Sequence, residues 1–119
     1  VALIKAHYRE QDVFHGSFTE ESGRTAFETL YAQGCDGFFV ENDRMAKGAL
    51  AAAKEKGIRV GENCKFAVYD YEGTENVISV RQNLSLMAEK AVDRLIERIE
   101  EPEKLMPAGN FYITPLVEN

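Results

Sequence analysis

GFFVENDRMAKGAL, residues 37–50, is the stretch on which the reading of this chain turns. A short apolar run, Gly37 to Val40, meets three polar residues, Glu41, Asn42 and Asp43, and then a small-residue pattern at helical spacing: Ala46, Gly48, Ala49, Ala52, Ala53. This is a strand delivering polar side chains to its own C-terminal end, where a helix starts. In open parallel sheets ligands bind at that edge, because helix N-termini and loop side chains converge there.

The same strand-then-helix plan extends to both sides. Upstream, Asp12 to His15 reads as a strand, Gly16 to Phe18 as its loop, and Thr19 as the cap of a helix with Glu20 and Glu21 in the first turn, where the helix dipole favours negative charge. Ala26, Phe27, Leu30 and Tyr31 recur at helical spacing, and Gly34 stops that helix. Downstream, a helix from about Arg44 to Lys56 stops at Gly57; its Ala, Gly and Met face is suited to close packing on a sheet. Ile58 and Val60 then lead through a turn at Gly61-Glu62-Asn63 into a strand, Lys65 to Tyr69, ending at Asp70. Val77 to Val80 is a further strand, and Asn83 caps a long helix with a stripe of Leu84, Met87, Ala88, Ala91, Val92, Leu95, Ile96 and Ile99, ended by Pro102. Phe111 to Val117 is a last strand whose Pro115 assigns it to a sheet edge. Strands joined by helical crossovers of this length predict an α/β fold with a parallel sheet. The loops at Gly16–Phe18, Glu41–Asp43 and Asp70–Tyr71 should then share one edge.

Bulk properties narrow the function classes. With 119 residues the chain suffices for one small domain. A hydrophobic fraction of 45% and a charged fraction of 29% are those of a globular protein. A net charge of -6, with the basic residues scattered among acids, argues against nonspecific nucleic-acid binding by this chain. No apolar run approaches the roughly 18 residues of a membrane helix, and VALIKAHYRE carries charges where a signal peptide is apolar, so a cytoplasmic location is expected. Cys35 and Cys64 are far apart and read as free thiols in a reducing compartment; His7 and His15 gather no ligand cluster, so neither a metal nor a cofactor is expected. Ala2, Leu3 and Ala6 with Lys5 and Arg9 read as the end of an amphipathic helix lacking its cap, hence as part of something longer.

At the shared edge, Phe18 offers an aromatic face, Asn42 a donor and an acceptor, and Asp70 two acceptor oxygens. That set suits a neutral polyhydroxylated or heterocyclic ligand, held by stacking and by paired hydrogen bonds. Spacing alone leaves structural roles open: Phe18 as a staple before its helix, Asn42 or, better, Asp43 as a helix cap, Asp70 as a turn cap. Asp43 and Asp70 as magnesium ligands for phosphoryl transfer lack a Gly-rich phosphate loop and a nucleophile–base pair, so an enzyme is the less supported class.

GSFTEESGRTAFETL, GFFVENDRMAKGALAAAKEKGIRVGENCKFAVYDYEG and ISVRQNLSLMAEKAVDRLIERI together resemble the second half of the effector-binding region of LacI/GalR-type transcription regulators, in order and over nearly the whole chain. The resemblance implies a periplasmic-binding-protein-like fold of type I, a three-layer parallel-sheet sandwich of which this would be the C-terminal subdomain. It implies effector contacts from Phe18 (in GSFT), Asn42 (in ENDRMAKG) and Asp70 (in VYDYEG), with Gln82 (in SVRQN) near the cleft. Val68 and Tyr71 depart from the family's usual glycine and second aspartate, and Gly61 from its proline.

The implied whole is a homodimeric, cytoplasmic regulator sensing a sugar, nucleobase or similar small metabolite, and reaching DNA only through a domain this chain does not contain. A periplasmic-type sugar-binding component of the same fold is the alternative. In the family layout the helix over 83–102 packs in the other subdomain. In its absence the apolar stripe is expected to fold onto its own sheet or against a second chain, with exchange of the helix as one form of that contact.

Overall fold

The computed structural model describes residues 9–104 and 112–118. The elements run α1 (Glu20–Ala32), β1 (Gly37–Val40), α2 (Asp43–Glu55), β2 (Lys65–Tyr69), β3 (Ile78–Arg81), α3 (Leu84–Glu100) and β4 (Leu116–Glu118), with β2 passing to β3 without a helix. The sheet runs in the order β1-β2-β3-β4. β1, β2 and β3 are parallel, while β4 lies antiparallel to β3 at the edge, with Arg81 opposite Leu116. Pro115 immediately precedes this edge strand, where its missing N–H costs no ladder bond.

Local signals set most boundaries. The Thr19 side chain accepts from the Ser22 N–H and opens α1. Gly34 (φ 92) and Gly57 (φ 70) take the left-handed conformation that ends α1 and α2 without a Cβ penalty. Asn83 caps α3 through the Leu86 N–H.

Period-two alternation gives the sheet two different faces. Phe38 and Val40 of β1 and Phe66 and Val68 of β2 point to the side covered by α1 and α2. Phe27 of α1 meets Phe38 and Phe66 there, with ring centroids 5.2 and 5.9 Å away. Phe39, Ala67 and Ile78 occupy the opposite face, and Phe39 and Ile78 are exposed. Two layers of the expected sandwich are thus described; the helix expected over Val1–Arg9 falls, apart from Arg9, outside the described residues, as does Phe111 of the last strand.

One expectation needs correction and two others are narrowed. Asp12–His15 is not a strand: Glu10–Asp12 is a 3-10 turn closed by Arg9 and Asp12, and among the described residues the sheet ends at β1, with no strand alongside residues 13–15. The small residues of α2 do more than bring it close to the sheet. A Cβ on Gly48 would overlap the backbone of Glu20, and one on Gly23 the backbone of Met45, so α1 and α2 touch backbone to backbone. Of the two arrangements expected for α3, folding onto its own sheet is not the one found. It has no buried residue, and Leu84, Leu95 and Ile99 are 64%, 58% and 68% exposed. The face covered by α1 and α2 is already filled by Phe27, Leu50 and the alanines of α2. The radius of gyration, 18.9 Å, accordingly exceeds the roughly 13–14 Å of a compact chain this long.

The α1–α2 contact yields a stability prediction. Gly48→Ala raises helix propensity, yet it should lower stability by about 1–3 kcal/mol, because the added methyl must push two backbones apart. The midpoint of urea unfolding checks this, with Ala51→Gly, on the exposed side of the same helix, as the propensity control.

Candidate functional site

The C-terminal ends of β1 and β2 carry two of the three loops expected to converge, 41–43 and 70–71, and α2 stands between them. Its N-cap is Asn42, not Asp43: the Asn42 backbone is extended (φ -156, ψ 161) and Oδ1 accepts the Met45 N–H at 2.8 Å. Asp43 is the first helical residue, and its carboxylate turns outward to Lys47 and to the Glu72 N–H at 3.4 Å. Lys47 is held above its ordinary pKa by that hydrogen bond and by the charge of Asp43. On the other flank, Gly16 lies against the Met45 side chain. The first turn of α2 therefore touches both neighbouring loops, the 16–19 loop through Met45 and the 70–72 loop through Asp43.

Phe18 projects from the first of these loops with 63% of its surface exposed and with φ 61. A hydroxyl cluster holds that conformation. Ser22 Oγ accepts the Ser17 N–H at 3.1 Å and the Thr19 N–H at 3.3 Å, and the Ser17 and Thr19 hydroxyls lie 3.2 Å apart. A Thr three residues ahead of a Ser was the signal that could have revealed this clasp.

Asp70 ends β2 with φ 55. Among the described residues, Phe18 and Asp70 are the two non-glycines with positive φ. Left-handed backbone costs an ordinary residue about 1–2 kcal/mol and persists where its surroundings enforce it, often at functional sites. Asp70 Oδ1 accepts the Gln82 backbone N–H at 2.8 Å, and Oδ2 accepts Gln82 Nε2 at 2.6 Å. Two of the sequence-derived candidates are thus joined directly. Asn42 supplies a further feature: its Nδ2 is buried with no partner among the described residues, a donor whose neglect costs about 1–3 kcal/mol.

Glu75 and Arg81, and the part that Tyr71 plays in its loop, have no counterpart in the sequence reading. The Tyr71 ring is buried, 3% exposed, and its hydroxyl donates to Glu75 Oε2, which also accepts the Thr74 N–H at 3.1 Å. Burial, then the hydrogen bond to Glu75, pushes the phenol well above its ordinary pKa, while the same hydrogen bond holds Glu75 below the usual carboxylate value. Tyr71 is therefore a support inside the loop, not a second carboxylate facing a ligand. Arg81 Nη2 reaches the Tyr71 carbonyl at 3.3 Å and Nη1 reaches Glu118 at 3.5 Å.

Cys35 and Cys64 are unbridged, burial pushes the Cys64 thiol up to about 11, and no group of three potential metal ligands is found among the described residues. No described helix is long and apolar enough to cross a membrane. A hollow of about 300 Å³ opens between Tyr69, Gln82, Asn83, the Met87–Ala91 face of α3 and Pro115.

Residues 3–116 match the family described as the periplasmic binding protein-like domain. The chain belongs to that family. Its relatives include an uncharacterized HTH-type transcriptional regulator of Streptomyces limosus, 35% identical over 97 residues (76% of this chain, 27% of the relative). The HTH-type transcriptional repressor PurR of Escherichia fergusonii is 32% identical over 117 residues, covering 87% of this chain and 33% of the repressor. Among solved structures, the transcriptional regulator CelR in its cellobiose complex superposes with a TM-score of 0.77 at 28% identity, over 99% of this chain and 38% of CelR. A LacI-family regulatory protein from Chloroflexus aggregans reaches 0.80 at 23% identity, over 98% and 44%, a likeness of fold. Within the family the chain resolves to the effector-binding region of LacI/GalR-type regulators, and it spans about a third of the length of the PurR relative.

The Tyr71–Glu75 pair predicts an acid sensitivity. A carboxyl depressed in the fold contributes stability that is complete above the ordinary glutamate value of 4.5 and is lost as pH falls through the lower folded value. Tyr71→Phe should reduce stability by about 1 kcal/mol at neutral pH and flatten the decline on acidification below the ordinary glutamate value. Urea titrations from neutral pH down through that value measure both effects.

Proposed function

We propose that this chain is the C-terminal part of the effector-sensing domain of a LacI/GalR-type transcription regulator, and that its sheet edge forms one wall of the effector cleft. The observation that carries the reading is the pair of left-handed backbones at Phe18 and Asp70, the aromatic and the carboxylate that the family resemblance singles out. Phe18 supplies a stacking face, Asp70 hydrogen-bond acceptors, and Gln82 stands beside Asp70. Asn42 contributes as a cap that shapes the edge, and its unpartnered Nδ2 supports a role for an acceptor arriving from a ligand. A neutral polyhydroxylated or heterocyclic molecule fits this set, and the cellobiose of the related CelR complex is such a polyol.

The second wall, in this reading, comes from the other subdomain, against which the apolar stripe of the 83–102 helix packs. Closure of the two walls on the effector shifts the population between open and closed forms, and a DNA-binding domain elsewhere in a dimeric protein reads that shift. A periplasmic sugar-binding component of the same fold is less favoured, because the relatives identified by sequence are transcription regulators.

Thermal-shift screening of the intact regulator against cellobiose, other neutral sugars and nucleobases tests the reading. Phe18→Ala should weaken the best ligand roughly tenfold or more while leaving the melting temperature of the free protein nearly unchanged, since the ring packs on little. Phe18→Gly should keep or slightly raise that melting temperature by relieving the left-handed strain, and should lose the same affinity. An undiminished ligand shift in both variants would remove Phe18 from the site.

A further inference from the structure

We infer that Gln82 is a positioning residue that acts through Asp70, tying the site carboxylate and the chain leaving β3 into one mechanical unit. The inference rests on the reading of this edge as an effector site and says how a ligand held there would act on the rest of the protein. Its basis is the number and placement of the ties. Ser79 Oγ donates to the Tyr71 carbonyl at 3.2 Å, the Val80 carbonyl accepts the Asp70 N–H at 2.8 Å, and Arg81 Nη2 reaches the Tyr71 carbonyl. Gln82 then gives both its backbone and its side-chain N–H to the two oxygens of Asp70. Three residues of β3 and the first residue beyond it grip the two residues that follow β2.

The bond from Gln82 differs from the others because both donors belong to one residue and the acceptor is a carboxylate. Two donors on two oxygens fix the rotation of the carboxylate plane as well as its position, and hydrogen bonds to a charged acceptor are the strong kind. An ionised carboxylate offers about four lone-pair sites, so Gln82 leaves about two for a ligand. The Gln82 amide donor is therefore engaged in orienting Asp70. Because its backbone N–H takes part, the carboxylate cannot turn without the crossover turning with it. Asn83 caps α3 one residue later through the Leu86 N–H, so the turn is passed on to the helix. A ligand that occupies the open side of Asp70 thereby biases the direction of α3, and anything that moves α3 reorients the carboxylate, as linkage requires.

Amide hydrogen exchange on the intact protein, without ligand, tests the tie. Gln82→Glu sets a second carboxylate against Asp70 and should speed exchange of the amides of residues 82–86 about tenfold; Gln82→Ala, which adds no repulsion, should speed it about threefold. Combining Asp70→Asn with Gln82→Glu exchanges donor and acceptor and should return the rates to those of the unmodified protein. Unchanged rates in both single variants, or a double variant no slower than Gln82→Glu alone, would overturn the inference. Failure of every neutral sugar and nucleobase in the thermal-shift screen to bind would count against the effector reading and leave these rates untouched, so the two ideas fail separately.

Discussion

Everything at the functional edge depends on how closely α1 and α2 approach. Gly23 and Gly48 let the two backbones meet, and any side chain larger than hydrogen at either position would hold the helices apart. Because α1 is entered from the 16–19 loop and α2 from the 41–42 turn, their separation sets the distance between Phe18 and the first turn of α2. Phe27, Phe38 and Phe66 then clamp the pair to the sheet from the far side. The aromatic core thus fixes the layer, and the glycine contact fixes the lateral spacing within it.

On that base, strain is concentrated where a ligand would be read. The left-handed backbones of Phe18 and Asp70 are each held by several hydrogen bonds from neighbouring residues, so the fold enforces both conformations. Orientation settled before a ligand arrives does not have to be fixed at the moment of binding, which is how a small site reaches useful affinity.

The helix stops and the caps at Thr19 and Asn83 are legible in the sequence because each depends on a few neighbouring residues with a strong conformational preference. The parallel sheet is legible from the crossover lengths, though the order of its strands is not. Asp12–His15 was misjudged because strand identity requires a pairing partner, which no local pattern supplies. The choice of Asp43 over Asn42 as cap failed on a single residue of helix boundary, beyond the resolution of spacing. For the site, spacing placed Phe18, Asn42 and Asp70 at one edge, and only coordinates show that Asp70 and Gln82 are bonded to each other. The burial of Tyr71 over Glu75 had no sequence signal, since a tyrosine at a strand end reads equally well as exposed.

β4 shows what kind of object this chain is. Its three residues are all exposed, and it pairs with β3 only after the chain has travelled out along α3 and returned. Closing so long an excursion costs entropy that three ladder positions barely offset. The hold of such a strand on the sheet therefore depends on whether the excursion is anchored at its far end. The sheet edge is in effect a zipper whose last teeth close only when something distant keeps the two ends of the tape together.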